Sequence, residues 1–316
     1  MTIAADDRPI ASSGNLIADR RFGFGRDLAS RGDLTAAADL FAQAVEAAPD
    51  FAAGWAALGE TRAKLGEQAG AVVALREAVR IDPQDRHGAA LHLARLGAAD
   101  PKDAMSPAYV RTLFDQYAPR FDDALEDLAY RGPELLAQAV ARIRARSPGA
   151  SATGTNMLDL GCGTGLAGAA FRRDVGHLTG VDLSPRMIAK ARIKNVYDRL
   201  ETADLVEFLV AERTGGRRYD LVIAADVLVY LFDLAPVMRA AADVLNPAGL
   251  LAFTVETYPG DAVELGEKLR YRHGTASVKD AAAAGGLELR ELVACASRIE
   301  AGAPVPGLLA VATLKP

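Results

Sequence analysis

The chain has 316 residues, enough for one large or two modest domains, because single cores stop growing at roughly 250–300 residues. Half of the residues are hydrophobic and 24% are charged, the composition of a globular chain. The formal charge of −5 supplies no basic stripe for phosphate neutralisation, so a nucleic-acid partner is not expected. The start, MTIAADDRPIASSGN, lacks a basic stretch ahead of an apolar one. No apolar run reaches the roughly 18 residues of a membrane span. Neither a secretory signal nor membrane insertion is therefore expected, and the expected compartment is the cytoplasm. Cys162 and Cys295 stand far apart without neighbouring His, which predicts neither a disulfide framework nor a metal site.

Residues 1–17 read as a flexible N-terminus, and residues 18–100 repeat themselves. Superposing Pro49 on Pro83 also superposes Gly25 on Gly59, Gly32 on Gly66, Ala37 on Ala71 and Ala44 on Ala78. This period and pattern resemble tetratricopeptide repeats, helix-turn-helix units in which small residues let two helices approach and proline ends the second. The second unit carries the family's W-x2-L-G as Trp55, Leu58 and Gly59, but has Arg62 where the family favours Tyr. The first unit has Arg21 in place of the Trp, and HGAALHLARLG supplies the first helix of a third unit. The resemblance implies an all-α domain with two open roles, binding of a protein partner or packing and dimerisation.

AADPKDAMSP (98–107) reads as a link. The stretch that follows, within a linker and helical lid over 101–150, concentrates Tyr109, Phe114, Tyr117, Phe121 and Tyr130. Aromatics at such spacing form either core or a lid over a ligand. The basic cluster from Arg142 to Arg146 reads as the solvated end of a helix. From about 151 to 316 short apolar runs (TNMLDLG, LTGVDLS, DLVIAAD, LLAFTVE) alternate with helical patterns (LAGAAFRRD, PRMIAKARIKNV, LAPVMRAAADVL). The alternation predicts a doubly wound parallel sheet. LELRELVACASRI and LLAVATLKP, joined by a short Gly/Pro loop, predict an antiparallel pair at the end.

NMLDLGCGTGLAGAAF (156–171) sets Gly161, Gly163 and Gly165 at the end of the first strand, where ligands of such sheets bind. Gly163, Gly165 and Gly168 also satisfy G-x-G-x-x-G, with Asp182 where a ribose-binding acid belongs, so a dinucleotide reading stays open. Asp159 tilts the balance. A pyrophosphate over this loop favours positive surroundings, whereas an acid two residues before the first glycine suits a ligand bearing cationic ammonium and sulfonium groups. Asp159 as a loop-bracing hydrogen-bond acceptor is the alternative.

LDLGCGTG, VDLSPRMIAKA, AD at 203–204, YDLVIAADVLVYL and VLNPAGLLAFTVE follow the order and spacing of the class I S-adenosylmethionine-dependent methyltransferases, which residues 155–316 resemble. With the repeats and LFDQYAPRFDDAL, nearly the whole chain resembles bacterial methyltransferases that carry an N-terminal tetratricopeptide region. The resemblance implies a Rossmann-like, seven-stranded doubly wound α/β sheet with an antiparallel last strand, and S-adenosylmethionine as cofactor. It assigns Asp159, Gly161, Gly163 and Gly165 to the methionine part, Asp182 to the ribose hydroxyls, and Asp204 with Leu205 to the adenine, where Glu201 and Glu207 are the neighbouring alternatives to Asp204. Ser184 and Pro185 read as the cap and first residue of the next helix, leaving Asp182 for the ligand. Met187 reads as a helix residue packed near the adenosine.

Methyl transfer is an in-line displacement that needs alignment and exclusion of water, not a covalent nucleophile. The family's acceptor pocket lies beyond the fourth strand, expected to end near Ala225, which makes Asp226 and Tyr230 candidates to face it; Asp226 reads either as a group that orients or deprotonates an acceptor or as a strand-end loop hydrogen-bonder. His273 is a third candidate, as a general base. Glu256, Tyr258 and Tyr271 are further candidates, and Arg270 or Arg298 reads either as a partner for a substrate carboxylate or as a surface or strand-spanning arginine. The stretch ADVLVY departs from the Asn/Asp-Pro-Pro-aromatic box of DNA and glutamine amino-methyltransferases, which argues against that chemistry. The acceptor is left open between a small molecule, a carrier-bound group and a protein. Two other readings remain: an adaptor or assembly factor that binds the cofactor without turnover, and an NAD-dependent oxidoreductase.

Overall fold

The structure, a computed structural model, describes residues 12–146 and 155–315. Most of the expected N-terminal tail and the junction expected near residue 150 lie outside the described residues. The chain divides into two compact units, Met1–Tyr117 with Glu267–Leu269, and Ala118–Gly266 with Arg270–Pro316. No helix among the described residues is long and apolar enough to cross a membrane.

The first unit is helical: α1 (Leu16–Ser30), α2 (Leu34–Ala47), α3 (Ala52–Lys64), α4 (Gln68–Ile81), α5 (Ala89–Arg95) and α6 (Pro107–Tyr117). Asn15 caps α1 by accepting from the N–H groups of Ile17 and Ala18, and Asp33 caps α2 by accepting from Ala36. Helices α1 and α2 meet where a Cβ on Gly25 would stand 2.8 Å from the Phe41 ring. Helices α3 and α4 meet where a Cβ on Gly59 would stand 2.6 Å from Leu75 Cγ. The two contacts are equivalent under the shift that superposes Pro49 on Pro83, so the period read in the sequence is a period of helix packing. Gly32 and Gly66, at φ +85° and +81°, make the turn inside each pair. Tyr109 packs over Gly88, and Tyr117 is buried.

The second unit opens with the short helix α7 (Phe121–Asp127) and α8 (Gly132–Ala145) and continues into the sheet. Its strands are β1 (Asn156–Leu160), β2 (His177–Asp182), β3 (Arg199–Thr202), β4 (Tyr219–Ala224), β5 (Leu245–Glu256), β6 (Val263–Leu265), β7 (Tyr271–His273), β8 (Leu287–Cys295) and β11 (Gly307–Leu314), with a separate hairpin of β9 (Ile299–Glu300) and β10 (Ala303–Pro304). The main path runs β3-β2-β1-β4-β5-β11-β8. Strands β1 to β5 pair in parallel, and β11 inserts antiparallel between β5 and β8. The expected seven strands are this path. The pair β6 and β7 adds two strands that sequence patterning missed, because three-residue runs such as Tyr271–His273 are too short to show a period.

The side chains of β4 alternate between two cores. Val222 and Ala224 face α11 (Leu205–Thr214), α12 (Ala235–Val244) and α13 (Thr275–Ala284), through Leu209, Val237, Met238 and Val278. Leu221 and Ile223 face α8 and α9 (Leu166–Phe171), through Leu136, Val140 and Phe171. Because β1, β2, β4 and β5 are parallel, their C-terminal ends share one edge. The glycine loop, Asp182, Asp226 and Glu256 are thereby gathered there.

Candidate functional site

Gly161, Gly163 and Gly165 have φ of +66°, +54° and +94°, the left-handed region that favours glycine. At Gly161 a Cβ would also lie 2.3 Å from Val227, which packs the loop against the segment after β4. The Gly163 position is open except for the Phe121 ring at 3.6 Å. Asp182 ties this loop to β2: its Oδ2 accepts from the Gly163 N–H at 2.9 Å, and its Oδ1 from Ser184 N–H at 2.8 Å. Helix α10 (Pro185–Lys194) is capped by Ser184, whose Oγ accepts from Met187 N–H at 3.0 Å. Asp182 is therefore not needed as the cap, as its spacing from Pro185 implied. Met187 is fully buried. Asp204 caps α11, its Oδ1 accepting from Val206 and Glu207 at 2.9 and 3.3 Å, and Leu205 is the first, buried residue of that helix.

Asp159 is buried on β1. Its Oδ2 accepts a 2.7 Å bond from the Tyr197 hydroxyl, and its Oδ1 has no hydrogen-bond partner. Burial pushes the carboxyl up to about 7; the Tyr197 bond and the Gly168 backbone N–H oppose this rise, and the Asp182 charge adds to it. The bracing role is the one seen directly, through the Tyr197 bond to Oδ2. An orphaned buried carboxylate oxygen beside a bare loop fits a ligand that brings positive charge. The residues present accordingly fit S-adenosylmethionine.

Tyr197 was not singled out from the sequence. Its ring lies against Gly165, Gly168 and Gly180, where a Cβ would come within 3.0, 2.4 and 2.8 Å of it. Gly168 is therefore small to admit Tyr197, which removes the need for a dinucleotide reading of G-x-G-x-x-G. The available signal was Gly180, a glycine inside a strand, which marks a close approach.

On the acceptor side, Asp226 sits just past β4 at φ +53°. It accepts from Thr254 Oγ at 2.6 Å, Ser297 Oγ at 2.7 Å and Arg298 Nη1 at 2.9 Å. Arg298 also pairs with Glu256 and, through Nε at 2.7 Å, with Glu300. Arg270 joins Glu256 and reaches Glu300 at 2.8 Å. The two arginines are buried, not surface groups, and are taken up by three internal carboxylates. Burial opposes the Arg298 charge, but Asp226, Glu256 and Glu300 outweigh it and hold its pKa above the usual value. For Arg270 burial prevails and lowers the pKa to about 10. Sequence reasoning missed this network because its members come from four separate segments. Tyr230 ends a single 3-10 turn, Leu228–Tyr230, at intermediate exposure. His273 is fully enclosed, with Nε2 3.0 Å from the Leu231 carbonyl and Nδ1 without a partner. Burial lowers its pKa to about 4. Tyr271 is buried against Phe232, edge to face at 5.4 Å between centroids.

Comparison with known proteins agrees with this geometry. Residues 158–251 match the model of a family described as a methyltransferase domain. The chain is 33% identical over 101 residues to the ubiquinone biosynthesis O-methyltransferase of Xanthomonas campestris pv. campestris (strain B100), covering 31% of this chain and 41% of that one. It is 29% identical over 154 residues to the protein of the same name from Xylella fastidiosa (strain M23), covering 47% and 61%. The chain thus spans less than two thirds of the length of these curated relatives. The solved magnesium protoporphyrin IX methyltransferase of Synechocystis PCC 6803 with bound SAH aligns at a TM-score of 0.52 and 17% identity, over 66% of this chain and 99% of that one. At that identity the likeness is one of fold. Together, the matched family model, the glycine loop and the order of the strands make residues 158–251 similar to a methyltransferase domain, set in a sheet of the same fold.

Proposed function

We propose that the protein transfers a methyl group from S-adenosylmethionine to a small-molecule acceptor. The observation that carries this reading is the pairing of an open glycine loop with Asp159 Oδ1, a buried carboxylate oxygen that lacks a partner. When bound, the cofactor supplies an electrophilic methyl group for in-line attack. Gly161, Gly163 and Gly165 admit its methionine part, Asp159 offsets its positive charge, Asp182 accepts from the ribose hydroxyls, and Asp204 with Leu205 borders the adenine. Asp226 and Tyr230 border the acceptor. The donors around Asp226 suit it to orienting an acceptor, and the enclosure of His273 suits it to bracing the Leu231 loop. The relatives' name favours an oxygen acceptor. With Arg270 and Arg298 committed to internal carboxylates, a neutral acceptor is favoured over a carboxylate.

The recurring Gly25–Phe41 and Gly59–Leu75 contacts support a tetratricopeptide assignment for α1 to α4. A groove lined by Phe22, Arg26, Phe41, Ala57, Lys64 and His92 supports a peptide partner for that unit.

Titration calorimetry with S-adenosylmethionine, S-adenosylhomocysteine and NAD tests the cofactor. Micromolar binding of the first two without NAD is expected, and binding of NAD alone overturns the proposal. Asp182→Ala is expected to weaken S-adenosylhomocysteine binding by roughly 10- to 150-fold, the loss of a charge-assisted contact of about 1.5–3 kcal/mol. Unchanged affinity in a folded variant removes Asp182 from the site. Cofactor binding without methyl transfer to any component of a cell extract would favour the adaptor reading.

A further inference from the structure

Helix α7 is fastened to the glycine loop at its start, and the chain just past its end is fastened to the segment that carries Arg298. At its start, Asp122 accepts from the Thr164 hydroxyl and pairs with Lys194 Nζ at 2.7 Å. Lys194, the last residue of α10, also donates to Thr164 Oγ at 3.2 Å. Thr164 lies between Gly163 and Gly165 and is buried. The neighbouring Phe121 puts its ring over Gly163, the one loop glycine left open by its other surroundings. Beyond α7, Leu128 O accepts from Ile299 N–H at 2.8 Å and Arg131 N–H donates to Ser297 O at 2.7 Å. Those backbone bonds set a hinge beside the Arg298 network.

Between hinge and latch, α7 has seven residues and buries only Leu125. A helix that short is not stable in isolation, and one buried leucine gives it little hold on the sheet. The charged contacts of Asp122 therefore add to the hold on its closed position. These contacts are partly exposed, with Asp122 at 42% and Lys194 at 28%, so water competes for both groups when the helix lifts.

Resting on the cofactor reading above, we propose that α7 is the gate of the cofactor site and that Asp122, held by Thr164 and Lys194, is its latch. Exchange of cofactor requires Asp122 to leave both partners and Phe121 to uncover Gly163. Because none of the latch contacts is made to the cofactor, weakening the latch is expected to speed entry and exit together. A residue that merely touches the cofactor would change exit alone.

The test is stopped-flow binding and release of S-adenosylhomocysteine by the full chain, for the wild type, Asp122→Ala and Lys194→Met. Both rate constants are expected to rise roughly tenfold in each variant, the worth of one charge-assisted hydrogen bond, with Kd changed less than about threefold. Asp122→Lys with Lys194→Asp is expected to recover part of the slow exchange. Amide exchange without ligand adds a second readout, in which α7 amides exchange faster in Asp122→Ala. A rise in the release rate alone, or unchanged rates together with unchanged α7 exchange, overturns the gate. Absence of S-adenosylhomocysteine binding by the wild type instead overturns the cofactor reading, and is seen before any variant is compared.

Discussion

Asp159 shows how one buried atom sets a trade between stability and binding. Its carboxyl, raised by burial to about 7, titrates near 4 in the unfolded chain. Between those values the native state holds a proton that the unfolded state has lost, so this contribution is full below about pH 4 and disappears as pH rises through about 7. Asp159→Asn keeps an acceptor for Tyr197 and removes the titration. The stability of the variant relative to wild type is expected to grow from about pH 5 to pH 8, by on the order of a few kcal/mol, in denaturant melts at each pH. A difference that stays flat with pH would show that Asp159 does not titrate there. The same variant is expected to bind S-adenosylmethionine more weakly. Arg298 is the opposite case, because its charge is matched by Asp226, Glu256 and Glu300. Removing it leaves Glu256 and Glu300 to share the single charge of Arg270, and Asp226 with hydroxyl donors only. Arg298→Ala is expected to cost about 3–5 kcal/mol in urea denaturation, and a cost under about 1 kcal/mol would mean that water replaces the guanidinium without strain.

Among the elements, the helix pairs of the first unit make a prediction that composition alone would reverse. Gly to Ala inside an exposed helix stabilises by roughly 1 kcal/mol. Gly59 is instead overlain by Leu75, and a Cβ there would also stand 3.1 Å from the Ala71 carbonyl oxygen. Gly59→Ala is therefore expected to destabilise, since overpacking costs about 1–3 kcal/mol and outweighs the propensity gain. Gly25→Ala, in the equivalent place, is expected to act in the same direction. Thermal melts that show either variant more stable than wild type would mean that the helices separate freely at that point. In the second unit the corresponding constraint is Tyr197, which three glycines from a loop, a helix and a strand make room for.

At the scale of the molecule, two units with separate cores predict two unfolding events. Scanning calorimetry is expected to resolve two transitions, of which only one moves with S-adenosylhomocysteine. At about 100 times Kd the ligand stabilises by about 2.7 kcal/mol, a shift of roughly 5–10 °C for a unit of this size. A single transition that moves as a whole would show the units to be one cooperative body. The sequence by itself determined the helix pairs, the parallel run of strands, the antiparallel ending, and the loop with Asp159 and Asp182 at its borders. These are local signals: a repeat period, alternating apolar runs, caps such as Ser184, and glycines within a few residues of one another. Only the tertiary structure decided that Tyr197 fills the space left by Gly168 and Gly180, that Arg298 joins Asp226 to Glu256, and that Asp122 reaches Thr164 and Lys194. Each of these contacts joins segments 17 to 72 residues apart in the chain. Their partners are chosen by which strand ends the sheet brings to one edge, and no local pattern in the chain encodes that choice.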